Sequence, residues 1–218
     1  MRTYKGVTFN GKHSWRDYGL KPVKFQTPLP AQRTVKKEVP GRNGSIDMSE
    51  ALTGYVLYEN RTLEFVFDLR AHSQEAFAEK MFVIRNDLDG MKTNIILDTG
   101  GEYYYVGRLT VSGEFSQEEI DHEIVITADA EPFKYKKERT TVQDTVSGVK
   151  TVICMNDRME AVPSIKSSAE CTVLFNGNSY GIPNGISMSP DILFRRGQNE
   201  LLFEGNAEIE ITYQEGAL

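Results

Sequence analysis

Apolar and polar residues alternate with a period of two along much of this chain, and that limits what it can fold into. In Leu63-Glu64-Phe65-Val66-Phe67-Asp68-Leu69, the residues Leu63, Phe65, Phe67 and Leu69 share one face of an extended strand. Burying each is worth roughly 1.5–3 kcal/mol, so that face must find a core. Tyr103 to Val111 repeats the pattern, with Tyr103 and Tyr105 on one face and Tyr104 and Val106 on the other. His122 to Ala128 reads as a further, half-buried strand and Thr93 to Leu97 as a shorter one. Gln32 to Val39 reads as a polar strand suited to a sheet edge.

One segment has a different period. Phe77, Met81, Ile84 and Leu88 fall on a single helical stripe, with Glu79, Lys80, Arg85 and Asn86 off it. Ser73 suits the N-cap, Glu75 the first-turn dipole, and Gly90 the end. The spacing predicts one amphipathic helix over about residues 73–89, its Phe and Met stripe packed on a sheet.

Composition shifts near Pro132, where Glu131-Pro132-Phe133-Lys134-Tyr135-Lys136-Lys137-Glu138-Arg139 reads as a charged, solvated linker. Beyond it come short strands between turns: Thr151 to Cys154, Cys171 to Phe175, Ser179 to Ile182, Ile192 to Phe194 and Glu208 to Tyr213. Asn176-Gly177 is a signal for a two-residue hairpin with a primed turn. Turn-punctuated short strands point to a small β-sandwich. The expected division is therefore a β-rich domain with one helix over 1–134 and a smaller β-sandwich domain over 135–218.

Few residues stand in patterns that carry chemistry. The three histidines, His13, His72 and His122, are scattered without ligands at metal-binding spacing, and read as surface or turn residues. Cys154 and Cys171 lack the C-x-x-C spacing and read as free thiols in a small core. No nucleophile elbow, phosphate loop or dinucleotide fingerprint occurs. Glu118, Glu119, Asp121 and Glu123 cluster, but their alternation fits the wet face of an edge strand better than an acid/base pair. The reading is a non-enzyme with no metal and no cofactor. Sugar binding is the alternative, through the Tyr103-Tyr104-Tyr105 run or, in the second domain, Tyr180. A net charge of −6 argues against a dominant nucleic-acid footprint. The start, Met1 to Gly6, lacks a signal-peptide core, and no apolar run approaches the ~20 residues of a membrane helix. Synthesis in the cytoplasm without membrane insertion is expected.

Val39-Pro40-Gly41-Arg42-Asn43-Gly44-Ser45-Ile46-Asp47 places a rigid turn beside a permissive one and carries no reactive side chain. It reads as backbone shaping. Pro40, Gly41, Arg42, Asn43 and Gly44 are the candidate oligomer-interface residues.

The order of several motifs carries a family likeness. Phe9-Asn10-Gly11-Lys12-His13-Ser14 and Asp17-Tyr18-Gly19-Leu20 precede the Val39–Gly44 turn. Arg61-Thr62-Leu63-Glu64-Phe65, the helix, Tyr105-Val106-Gly107-Arg108 and Ala130-Glu131-Pro132-Phe133-Lys134-Tyr135 follow it. Gly197-Gln198-Asn199-Glu200-Leu201 and the ending Ile211 to Leu218 continue the series. Together these resemble the distal tail (Dit) proteins of long non-contractile-tailed bacteriophages, or their prophage relatives, that infect Gram-positive hosts. The resemblance implies a tail-tube-like N-terminal β domain with one helix and a C-terminal galectin-like or carbohydrate-module-like sandwich. It further implies a homo-hexameric ring at the virion tail tip, or baseplate. That ring would join the major tail tube protein to the tail-associated hub protein and carry receptor-binding proteins, with DNA only in transit through its channel.

Overall fold

The Leu63–Leu69 alternation is realised inside a ten-residue strand of a computed structural model that describes residues 4–218. The chain divides into two compact units, Met1–Lys134 and Tyr135–Leu218. Of the N-terminal stretch read as lacking a signal peptide, Met1, Arg2 and Thr3 lie outside the described residues.

The first unit contains β1 (Val7–Phe9), β2 (Lys12–His13), β3 (Leu20–Gln26), β4 (Lys36–Lys37), β5 (Ile46–Asp47) and β6 (Arg61–Arg70). Helix α1 (Gln74–Leu88), β7 (Lys92–Leu97), β8 (Tyr103–Gly113) and β9 (Asp121–Ala130) follow. Seven strands form an antiparallel sheet in the order β2-β1-β7-β8-β9-β6-β3. Register sets Phe65 opposite Ile126, Phe67 opposite Ile124 and Leu69 opposite His122, so matching phases bury one continuous face.

That sheet is strongly curled. β1 lies four strand spacings from β6, roughly 19 Å across a flat sheet. Yet the Phe9 ring meets Phe65 edge-to-face at 5.5 Å and Phe67 at 6.5 Å. Phe25 on the edge strand β3 reaches the same two rings, at 5.5 and 5.4 Å. Helix α1 contributes Phe77, Met81, Ile84 and Leu88 to this core, the four residues of its predicted stripe. The Ser73 side chain accepts from the Ala76 N–H as N-cap, and Gly90, at φ +73°, follows the end of the helix.

The second unit follows from β10 (Lys134–Lys136), which spans the division, through β11 (Thr140–Asn156), β12 (Ser164–Ser167), β13 (Cys171–Phe175) and β14 (Asn178–Ile182). Strands β15 (Gly185–Met188), β16 (Gly197–Tyr213) and β17 (Gly216–Ala217) complete it. β11 and β16 pair along all 17 residues, from Thr140 opposite Tyr213 to Asn156 opposite Gly197. The other edge of β16 is shared: its first half pairs β13 and its second half β12.

The two layers of this sandwich are the two halves of one sheet. Phe175 and Tyr213 lie near opposite ends of that sheet, on the order of 40 Å apart along a straight strand. Both touch the ring of Phe194, at 6.0 and 5.1 Å. The long strands must therefore double back, and they do so at Gly148 (φ +81°), which is paired with Gly205 (φ +142°). Asn176 and Gly177, at φ +50° and +82°, form the two-residue primed turn between β13 and β14.

Three expected elements differ. The run read as a linker begins as β10, with the Lys136 N–H donating to the Glu215 carbonyl at 3.0 Å and its ammonium pairing with the Glu215 carboxylate. Ile192 to Phe194 is not a strand, because Phe194 exchanges backbone hydrogen bonds with Ala161 alone. Gln32 to Val39 is not an edge of the main sheet. Only Lys36 and Lys37 are laddered there, and their partners are Ile46 and Asp47.

Candidate functional site

The segment between β3 and β6 leaves the sheet as an exposed two-stranded arm. At its root the Arg33 N–H donates to the Leu57 carbonyl and the Glu59 N–H to the Ala31 carbonyl, at 2.9 and 2.8 Å. The Arg33 guanidinium also pairs with Glu59 at 2.8 Å. Further out, Lys36 lies opposite Asp47 and Lys37 opposite Ile46, and the Met48 N–H donates to the Val35 carbonyl at 2.8 Å. Residues 31–45 are all exposed.

The tip is a tight turn. The Arg42 N–H donates to the Val39 carbonyl at 3.2 Å across Pro40-Gly41, and Gly41 sits at φ +80°. Pro followed by a left-handed Gly is the sequence requirement of a type II turn. Gly44 adds a second left-handed residue, at φ +76°. A Cβ at either glycine would meet nothing within 4 Å, so conformation rather than space demands glycine there. Pro40, Gly41, Arg42, Asn43 and Gly44 thus come together on an exposed tip with no catalytic group among them.

The arm carries apolar side chains into solvent: Leu29 is 74% exposed and Leu52 fully so, with Val35 and Met48 also exposed. An isolated two-stranded ribbon is marginal in water, and clustered exposed apolar residues mark an interaction surface. Where the chain re-enters the sheet, the buried guanidinium of Arg61 donates to the Pro28 carbonyl at 3.3 Å and lies 4.8 Å from the Tyr105 ring.

Two of the three histidines are core residues rather than surface ones. His122 is in phase with Ile124 and Ile126, lies fully buried against Phe77 and Phe115, and its Nε2 is 3.2 Å from the Ala71 carbonyl. His13 Nδ1 accepts from the Trp15 and Arg16 N–H groups at 3.2 Å each, which puts the proton on Nε2, donating to Asp98 at 3.0 Å. His72 is exposed. The carboxylate cluster also differs from expectation, because β9 lies between β8 and β6 rather than at an edge. Asp121 is held by Arg70 at 2.7 Å, and Glu118 and Glu119 lie in the loop before the strand. Among the described residues no group of three or more His, Cys, Asp or Glu side chains converges on a metal-sized site.

The Asp98 carboxylate ties the N-terminal strand to the sheet. Burial works against its charge, but the Gly6 N–H at 2.8 Å and His13 at 3.0 Å outweigh burial and hold its pKa below the ordinary value. A depressed carboxylate contributes stability that is complete above the unfolded pKa, about 3.9, and is lost as pH falls through the folded value. Asp98→Asn is expected to flatten the acid limb of the first unit's stability curve below about pH 4. Trp15, the single tryptophan, reports the transition by fluorescence. Superimposable acid limbs would rule out this linkage.

Cys154 and Cys171 are free and buried, and burial pushes the Cys154 thiol up to about 11. Tyr180 on β14 is half-buried against the second core, and Tyr103, Tyr104 and Tyr105 are all half-buried. The Tyr103 ring lies 5.3 Å from the Lys134 ammonium. No helix among the described residues is long and apolar enough to cross a membrane.

No family model and no curated protein sequence matches the chain. Among solved structures it is similar to the SPP1 Dit (gp 19.1) protein, described as a paradigm of the hub adsorption apparatus in phages infecting Gram-positive bacteria. The similarity covers 100% of both chains, with a TM-score of 0.70 and 13% sequence identity. This chain therefore has, over its whole length, the mainly β fold of a Dit protein.

Proposed function

We propose that this chain is a structural component of a phage tail tip: a distal-tail ring protein, assembled as a homo-hexamer, between the major tail tube protein and the tail-associated hub protein. The second unit is a galectin-like sandwich, and receptor-binding proteins are further partners. DNA crosses the ring only in transit. The observation that carries the reading is the exposed arm, a ribbon built by turn glycines, with apolar side chains and no chemistry, on a fold shared end to end with a Dit protein. A closed ring requires a heterologous contact repeated around an axis, and a protruding arm meets that requirement without altering either core.

Gly41→Val combined with Gly44→Val forces two β-branched residues into left-handed conformations, each strained by about 1–3 kcal/mol. Because the arm lies outside the main core, the expected result is loss of rings by light scattering and negative-stain imaging, with monomer circular dichroism near that of the unsubstituted protein. Undiminished hexamers would remove the arm from the assembly.

A further inference from the structure

Strand β11 is an edge along its whole length, since its only ladder among the described residues is with β16. Thr145 fixes which of its backbone groups look outward. Glu208, its ladder partner, gives its own N–H to the Ser168 hydroxyl at 2.8 Å and accepts the Ser168 N–H at 3.0 Å, on the side away from β11. Thr145 therefore faces away from β16. The register runs unbroken to Asn156, so Ser147, Val149, Thr151, Ile153 and Met155 face outward too.

The two halves of this edge differ. In the first, the Asp144 carboxylate accepts the Thr145 N–H at 2.8 Å, and the Lys150 ammonium donates to the Thr145 carbonyl at 3.2 Å. Charged side chains of that kind blunt an edge. Beyond Gly148 the guard is absent. The outward N–H and C=O groups of Val149, Thr151 and Ile153 have no partner among the described residues, and at Met155 only the carbonyl is taken, by the Tyr213 hydroxyl. The side chains beside them are apolar and open to solvent: Val149 is 64%, Ile153 51% and Met155 59% exposed. Residues 149–156 hold no proline or glycine, and Lys150 is their single charge. An unguarded edge of this composition is a template for another strand.

The segment is complementary to itself. With a two-fold axis at Val152, antiparallel pairing sets Thr151 opposite the second copy's Ile153, and Val149 opposite its Met155. Outward backbone groups then meet outward backbone groups at every step, and apolar side chains line one face. Lys150 falls opposite Cys154, so no charge in the segment faces a like charge. We infer that β11 of one copy pairs through residues 149–155 with β11 of a second copy, joining their second-unit sheets across a two-fold axis. Such an isologous contact cannot recur around a single cyclic ring. It is a separate mode of self-association and does not rest on the ring reading.

Disulfide trapping reads the register. Full-length Thr151→Cys and Ile153→Cys proteins, differently tagged, are mixed and mildly oxidised, while the native Cys154 and Cys171 stay silent because they are buried. Directly opposed residues of a hydrogen-bonded antiparallel pair lie about 5.5 Å apart at Cα, within disulfide reach. Thr151→Cys alone sets its two thiols on the diagonal, roughly 7–8 Å apart and out of reach. The mixed heterodimer is expected in at least about tenfold higher yield than the disulfide-linked homodimer of Thr151→Cys. In a second measurement, Thr151→Lys with Ile153→Lys sets ammonium opposite ammonium and should weaken dimerisation at least about tenfold in sedimentation equilibrium. Thr145→Lys, in the guarded half, should leave dimerisation unchanged, and far-ultraviolet circular dichroism checks that both variants fold. Trapping without register preference, or a double-lysine variant that dimerises as tightly as the unsubstituted protein, overturns the contact. Unsubstituted protein that stays monomeric in sedimentation also overturns it, and leaves the edge to a strand from another protein.

Discussion

Gly205→Val is expected to destabilise the second unit by about 3 kcal/mol or more, the sum of two costs that only the tertiary structure reveals. Gly205 holds φ +142°, a conformation that costs a β-branched residue about 1–3 kcal/mol. A Cβ there would also lie 2.9 Å from the Cys171 Cβ, and overpacking of that kind costs about 1–3 kcal/mol. Gly148, its partner across the ladder, separates the two terms. It sits at φ +81°, but an added Cβ would meet nothing within 4 Å. Gly148→Ala should therefore show strain alone and cost less than Gly205→Ala. Urea unfolding followed by far-ultraviolet circular dichroism gives both values, and equal costs would mean that the approach to Cys171 does not matter.

Phe67→Ala should cost the first unit about 3–5 kcal/mol, by removing a fully buried ring from the point where the curled sheet meets itself. Phe67 touches Phe9 and Phe25, residues of strands β1 and β3 near the two ends of the sheet order, so the cavity opens where collapse is hardest. Domain stabilities run at about 5–15 kcal/mol, so this loss removes much of the margin. Trp15 makes the effect selective to observe, since the only tryptophan lies in the first unit. Each unit has its own core, so the tryptophan midpoint should fall for Phe67→Ala and stay put for Gly205→Val. Movement of the tryptophan midpoint in both variants would mean that the two units unfold together.

Local order was legible wherever local physics decides it. Ser73, the Phe77–Leu88 stripe and Gly90 specify a helix without reference to the rest of the chain, and it forms as Gln74–Leu88. Asn176-Gly177 dictates its hairpin for the same reason. The burial of His122 was also present in the pattern, since it shares the phase of Ile124 and Ile126, but its residue type pointed to the surface instead. His13 gave no such signal, because its partner Asp98 is distant in sequence and only the sheet brings them together.

Thr140 to Lys150 shows the opposite limit. Asp144 and Gly148 are residue types depleted in strands and Val149 falls out of phase with Val142 and Val146, so no alternation declares the strand, and the segment is extended because β16 pairs with it along its full length. The candidate interface divides in the same way. Pro40, Gly41 and Gly44 announce a shaped turn, since φ preferences are intrinsic to the residues.

The sequence by itself determined the strands' buried faces, the single helix and its caps, and the chemistry-free turn of the arm, because periodicity and φ preference act over a few residues. The tertiary structure decided how far the sheets curl, where the long strands double back, and that the arm is left uncovered. Those outcomes depend on contacts between residues far apart in the chain, such as Phe9 with Phe67 and Phe175 with Phe194, which no local pattern encodes.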